Sequence, residues 1–332
     1  MVNVVIAGGF GNFGQTVTEV LKLQGKHQVY VIGRKAPQTD VDQVHFIVVD
    51  YDDANHLQHL LEDNKIHTVI SCLSLTTDSA KAAEMNLIKA ANHSTTTTRF
   101  ITSNWGTPIT DGIIVYMPWV KYKLAAMKLL RTTTLEWTSF TVGYFLDYYG
   151  MPHVKTHLPP FLVAVDVANK IARIPGTGND VITFTYTYDV ANVVATMLDA
   201  DKWQEETIVV GDKATWNEFL QLAENVRGCK FDVGYDSVEI LEASHITELP
   251  SHVSSYNLYP RTLMQHLMAG LERAMVAGML DLPEERAFTS GVSDIKMVKI
   301  RDMLQKSWGS DKSLNSSGAS AQSGSEVLGL TD

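Results

Sequence analysis

The chain has 332 residues, 45% of them hydrophobic and 19% charged, and a formal net charge of -10. That is ample apolar material for one large or two closely packed domains. The acidic balance, with no long basic run, argues against a nucleic-acid partner and favours a small molecule. Two widely separated cysteines, Cys72 and Cys229, suggest neither a disulfide framework nor a Cys-based zinc site. In chain order, short β-branched runs alternate with helical patterns, which predicts βαβ units and a parallel sheet. Strands are expected at Val2 to Ala7, Val29 to Gly33, Val44 to Val49, Thr68 to Leu73 and Arg99 to Thr102. Helices are expected between them at Gln15 to Leu23, Ala54 to Glu62 and Ser79 to Ala91. A helix over Val120 to Arg131 precedes a sixth strand, Trp137 to Val142. From Gly143 to Asp180 the pattern becomes irregular and rich in Pro, Gly and Tyr; this part is expected to cap a ligand. A helix (Asp189 to Asp199), a strand (Thr207 to Val210) and further amphipathic helices follow, ending near Trp308. Gly309 to Asp332, dominated by Ser, Gly and Asn, reads as a disordered tail. With no signal-peptide pattern and no apolar run long enough to span a bilayer, the expectation is a soluble, cytoplasmic chain without a membrane partner.

Gly8-Gly9-Phe10-Gly11-Asn12-Phe13-Gly14 follows the first strand directly and opens a helix, the setting in which a glycine fingerprint acquires meaning. Gly8, Gly11 and Gly14 permit a tight turn, close approach to a pyrophosphate and close packing of helix on strand; the helix N-terminus adds amide donors and partial positive charge. The fold expected is therefore α/β: a Rossmann doubly wound parallel sheet with a smaller α/β substrate-binding region packed over the cofactor cleft. The organisation expected is 1–150 for dinucleotide binding, 151–308 for the substrate region and 309–332 for the tail. The second strand ends at Arg34-Lys35, where an NAD-specific fold usually presents an acid to the ribose. A guanidinium grips a 2′-phosphate bidentately and Lys35 adds a point charge, so the cofactor expected is NADP(H). Asp50, after the third strand, is a candidate neighbour of the adenine; Leu73 and Ser74, after the fourth, lie where a ribose would pass.

These residues resemble the NmrA-like and isoflavone-reductase-like group of atypical short-chain dehydrogenases, especially its fungal members. Besides the glycine loop and Arg34, Arg99-Phe-Ile-Thr-Ser-Asn-Trp-Gly106 is similar to the group's Arg-Phe-x-Pro-Ser-Glu-Phe-Gly, with Thr102, Asn104 and Trp105 in place of Pro, Glu and Phe. Trp137-Thr138 with Gly143-Tyr144-Phe145 matches its sixth strand. Gly176-x-Gly178 and Asp189-Val190-Ala191 match its later glycine turn and helix start. The resemblance implies that Asn104 contacts the cofactor, that Trp105 borders the substrate and that Lys123, on the helix before the sixth strand, is the active-site lysine. Lys121 is its near neighbour, and Met127 followed by Lys128 stands where the group carries a second basic residue. A lysine there contacts the nicotinamide ribose and exchanges a proton with substrate during hydride transfer.

No tyrosine is followed by a lysine four residues on, so typical short-chain dehydrogenase chemistry is disfavoured. Tyr144, Tyr148 and His153, leaving the sixth strand, are the pocket candidates, and their aromatic surroundings suit a planar substrate. His56 and His59 lack further ligands at metal spacing, so no metal is expected. Two functions remain open. One is an NADPH-dependent reductase of a small aromatic or conjugated secondary metabolite, and the other an NmrA-type redox sensor that binds the dinucleotide without turnover and acts on a protein partner. A homodimer is compatible with either.

Overall fold

The computed structural model describes residues 1–36, 44–258, 260–289 and 295–309. The expected tail lies, Gly309 excepted, outside the described residues. The elements run β1 (Asn3–Ala7), α1 (Asn12–Gln24), β2 (Gln28–Gly33), β3 (His45–Val48), α2 (Ala54–Asp63), β4 (Ile66–Ser71), α3 (Asp78–His93), β5 (Arg99–Gly106), α4 (Val120–Leu130), β6 (Glu136–Thr141), β7 (Tyr144–Phe145), β8 (Val165–Asp166), β9 (Ile171–Pro175) and β10 (Val181–Thr185). They continue with α5 (Thr187–Met197), β11 (Glu206–Ile208), β12 (Asp212–Thr215), α6 (Trp216–Arg227), β13 (Asp232–Asp236), α7 (Val238–Glu242), α8 (His252–Ser255), α9 (Arg261–Val276) and α10 (Ile300–Trp308).

The chain divides into two compact units, the first made of Met1–Val142, Thr187–Val209 and Pro283–Lys296. Its sheet has the order β11-β6-β5-β4-β1-β2-β3, parallel at every pairing. Both faces are covered by helices, which is why its central strands read as continuous apolar runs: Val4, Val5, Ile6 and Ala7 of β1 are fully buried. One core joins Val5, Ile32, Val69 and Phe100 to Leu57 and Leu61 of α2, Leu87 and Ile88 of α3, and Leu130 of α4. Each such aliphatic side chain contributes about 1.5–3 kcal/mol by leaving water. On α5, Tyr188 donates to Glu19 of α1 at 2.6 Å. Strand order reverses between β1 and β4, the point outside whose carboxyl ends a doubly wound sheet binds its ligand. The doubly wound Rossmann architecture expected from the sequence is present.

The second unit comprises Gly143–Tyr186, Val210–Leu282 and Met297–Asp332. It holds two three-stranded sheets, β12-β10-β7 and β13-β9-β8. The stretch from Gly143 to Asp180 was expected to be irregular and in fact carries three strands, with a fourth beginning at Val181; with two to five residues each, they are too short for an alternating pattern to register. Gly143, at φ +76°, starts the unit, and a Cβ there would lie 2.3 Å from the Thr183 carbonyl oxygen, so only glycine fits where the chain leaves β6. Behind it Tyr149, Phe184, Trp216 and Phe219 form an aromatic core with ring centroids 4.5 to 6.1 Å apart. The division differs from the boundary expected at residue 150. It falls after Val142, and α5 and β11, both expected in the second region, belong to the first unit because β11 extends the sheet beside β6.

Candidate active site

The glycine turn closes the carboxyl end of β1. Gly8, at φ +75°, donates its N–H to the Ile32 carbonyl at 3.1 Å, and Gly11 N–H returns to the Gly8 carbonyl at 2.9 Å. The Thr18 hydroxyl lies 2.9 Å from the carbonyl oxygens of both Gly9 and Gly14, tying the turn to α1. A Cβ on Gly14 would sit 2.2 Å from the Gly8 carbonyl oxygen, so the first turn of α1 lies against β1 only because this residue has no side chain. Helix α1 starts without a side-chain cap and without an acidic residue in its first turn, so the helix itself places no carboxylate at its positive end. Phe10, in the turn, packs on Phe46 of β3 at 5.3 Å between centroids.

Around this turn lie the loops that follow the neighbouring strands. Arg34 and Lys35 are exposed just beyond β2. The Arg34 charge faces Tyr51, whose hydroxyl donates to the Ile32 carbonyl at 3.2 Å and whose ionisation is pushed up by burial. Asp50 is exposed and accepts the Asp52 N–H at 2.9 Å, closing the turn that leads to Asp53, the N-cap of α2. After β4, the Cys72 N–H donates to the Ala7 carbonyl at 2.8 Å, Leu73 is half-buried with its carbonyl accepting from the Ser103 hydroxyl at 2.6 Å, and Ser74 is exposed. Burial pushes the Cys72 thiol up, so it is not a thiolate near neutral pH.

Strand β5 pairs with β6 through Thr102 and then again only from Trp105, leaving Ser103 and Asn104 as a bulge. Bulges re-aim side chains, and this one turns Asn104 inward. Asn104 is fully buried, its amide nitrogen within bonding distance of the Ser139 hydroxyl (3.1 Å) and the Phe140 carbonyl (3.0 Å). Its Oδ1 accepts from Nζ of Lys123 at 3.3 Å. The residue expected to touch the cofactor thus orients the lysine. Lys123 is half-buried on α4, and burial lowers its pKa to about 8, partly opposed by the charge of Glu84. Lys121 and Lys128 on the same helix are exposed. Trp105 donates its indole N–H to the Ser71 carbonyl at 3.0 Å and packs its ring on Phe13 of α1 at 4.7 Å and Phe140 at 5.1 Å. The glycine turn, Trp105, Asn104 and Lys123 therefore share the carboxyl edge of the sheet.

Sequence reasoning missed Glu84. It lies on α3, fully buried, three and four residues before the core positions Leu87 and Ile88. A carboxylate on the apolar stripe of an otherwise ordinary helix was the signal that could have revealed it.

The remaining candidates lie in the second unit. Tyr144 is buried, with its hydroxyl donating to the Phe161 carbonyl and its ring against Tyr148 at 5.2 Å. Its role is that of a core aromatic. Tyr148 is half-buried, and His153 is exposed with its ring edge-on to Trp308 at 4.9 Å. Among the described residues no group of three or more His, Cys, Asp or Glu is placed to hold a metal ion, and no helix is long and apolar enough to cross a membrane.

An NAD(P)H-binding family model matches residues 8–157, the stretch from the glycine turn past β6. Oxidoreductase swnN of Metarhizium robertsii is 29% identical over 340 residues, covering 93% of this chain and 98% of that protein. Oxidoreductase BOA1 of Botryotinia fuckeliana is 31% identical over 259 residues, covering 77% of this chain and 85% of that protein. Among solved structures, the binary complex of leucoanthocyanidin reductase with NADPH from Vitis vinifera matches with a TM-score of 0.66 at 15% identity, over 92% of this chain and 98% of that one, a likeness of fold. Identity to BOA1 across most of its length, joined to the glycine turn and the NAD(P)H-binding match, establishes the family: the chain belongs to the NAD(P)H-binding oxidoreductases that include BOA1.

Proposed function

We propose that the protein is an NADPH-dependent reductase of a small aromatic or conjugated metabolite. The observation that carries this reading is Lys123: a half-buried amine at the carboxyl edge of the sheet, held by Asn104 and with its pKa drawn to about 8. An amine in that range changes protonation near neutral pH, as a general acid must. A dinucleotide fits the chain's own residues, since the uncapped α1 N-terminus, with no acidic residue in its first turn, and the glycine turn offer a pyrophosphate backbone amides. NADPH supplies a hydride when bound. The chain's part is to hold it at the glycine turn, to meet its 2′-phosphate with Arg34 and Lys35, and to keep Lys123 ready to give a proton to the reduced substrate.

Two assays test this. Arg34→Ala is expected to weaken NADPH binding at least tenfold, about 1.4 kcal/mol, while leaving NADH binding unchanged; equal losses for both cofactors would reject the phosphate role. A panel of quinones and enones is expected to include acceptors that drive NADPH oxidation. Tight NADPH binding with no turnover across the panel would favour the redox-sensing alternative, which the departure of Asn104 and Trp105 from the family's loop motif also recommends.

A further inference from the structure

Resting on that reading of Lys123, we propose that Glu84 is a positioning residue: it builds the β5 bulge that turns Asn104 toward Lys123, and it supplies the negative charge that keeps the ammonium form of Lys123. Glu84 is 0% exposed. Its Oε2 accepts from the Ser71 hydroxyl at the end of β4, and its Oε1 accepts from the Thr102 hydroxyl at 2.9 Å and the Ser103 N–H at 3.1 Å. Thr102 is the last paired residue before the bulge and Ser103 the first residue in it. One carboxylate from α3 therefore fixes the end of β4 and the point where β5 leaves its register. The next residue is Asn104, whose Oδ1 receives the lysine.

The electrostatic half of the proposal follows from what surrounds these two groups. Tyr51, Cys72 and Lys123 face Glu84 from the segments after β3 and β4 and from α4. Burial pushes both Tyr51 and Cys72 up, so neither carries a charge near neutral pH. Arg34 acts on Tyr51 from beyond β2. On its own helix Lys123 has Lys121 and Lys128, both exposed and screened by solvent. Burial favours the neutral amine of Lys123, and the charge of Glu84 is what opposes it. Burial also raises Glu84 itself, while its three donors and Lys123 pull it back toward the ionised form. A side chain needed only for packing has no reason to be a carboxylate at this position.

The test reads Lys123 directly, without turnover. Trace acetylation by acetic anhydride is followed at the Lys123 peptide by mass spectrometry as a function of pH. In the native protein the midpoint should fall near pH 8. In Glu84→Gln, which keeps the shape but removes the charge, it should move down by about one pH unit, roughly tenfold more neutral amine at a given pH within the titration range. NADPH affinity should stay within about threefold, which separates this effect from collapse of the glycine turn. An unchanged midpoint would overturn the proposal. If Glu84→Gln does not fold, Ser71→Ala removes one donor, favours the neutral form of Glu84 and should move the midpoint in the same direction; no movement there overturns the proposal equally. Failure of the two readings is distinguishable. An unmoved midpoint in a variant with native turnover rejects the role of Glu84 and leaves the reductase intact. A moved midpoint in a protein that oxidises NADPH with none of the quinones and enones of the panel rejects the reductase and leaves the Glu84–Lys123 coupling.

Discussion

Lys123→Met is expected to lower kcat by about two to four orders of magnitude, the usual contribution of a positioned general acid, with NADPH affinity nearly unchanged. Methionine keeps the length and apolar stem of lysine and removes only the proton donor. The lysine lies in the second turn of α4, on β5's side through Asn104, whereas the glycine turn is made by β1 and α1. Loss of the amine should therefore show in kcat far more than in binding. The pH dependence follows from the sign of the shift. Burial lowers Lys123 from the ordinary lysine range to about 8, so the ammonium form needed for donation predominates below that pH and is lost above it. Native kcat should hold on the neutral side and fall tenfold per pH unit well above pH 8, and that limb should vanish in Lys123→Met. Steady-state rates across the range, with the acceptor found in the panel, make the comparison. Native turnover in the variant would assign the proton to another group.

Gly14→Ala should destabilise the protein by roughly 1–3 kcal/mol and weaken NADPH binding at least tenfold. By helix propensity alone the change is favourable by about 1 kcal/mol, since alanine is the better helix former. The added Cβ meets the Gly8 carbonyl oxygen at 2.2 Å and Cys72 Cβ at 3.0 Å. Neither neighbour is the free end of a flexible chain. Gly8 is fixed by its bond to the Ile32 carbonyl and Cys72 by its bond to the Ala7 carbonyl, so α1 must move away from the sheet and take the turn with it. Urea denaturation and calorimetry of the same sample check both parts. A variant more stable than the native protein would show that propensity outweighs the close approach and that the turn is looser than these distances require.

Much of the first unit was legible because its strands are buried on both faces and alternate with helices long enough to show a period. The runs at Val4 to Ala7 and Val29 to Ile32, and the helices bearing Leu57 and Leu87, announce themselves by composition. The glycine turn was legible for a different reason: close approach leaves no tolerance in residue type, and Gly14 carries that constraint in its identity. Lys123 came from resemblance. What stayed hidden depends on contacts between residues far apart in sequence. The bulge at Ser103 and Asn104 lets β5 continue to Gly106, beyond the expected end at Thr102, and no local pattern predicts where a strand will skip a residue. Asn104 reads as a polar residue at a strand end, and only the fold shows that its amide is turned inward. Tyr144 reads as a pocket aromatic, yet its hydroxyl is bonded to Phe161 and its ring lies in the core. The short strands between Gly143 and Thr185 are held by turns at Ala164, Lys170, Gly176 and Gly178, all at positive φ, and tertiary pairing rather than composition makes them strands.

The central claim, that the glycine turn and the two cations after β2 receive a phosphorylated dinucleotide, is tested most directly by titrating the purified chain with NADPH in a calorimeter. The account predicts saturable heat with a Kd below about 100 µM and at least tenfold weaker binding of NADH. Saturation by NADH at equal affinity, or no heat with either nucleotide, would contradict it.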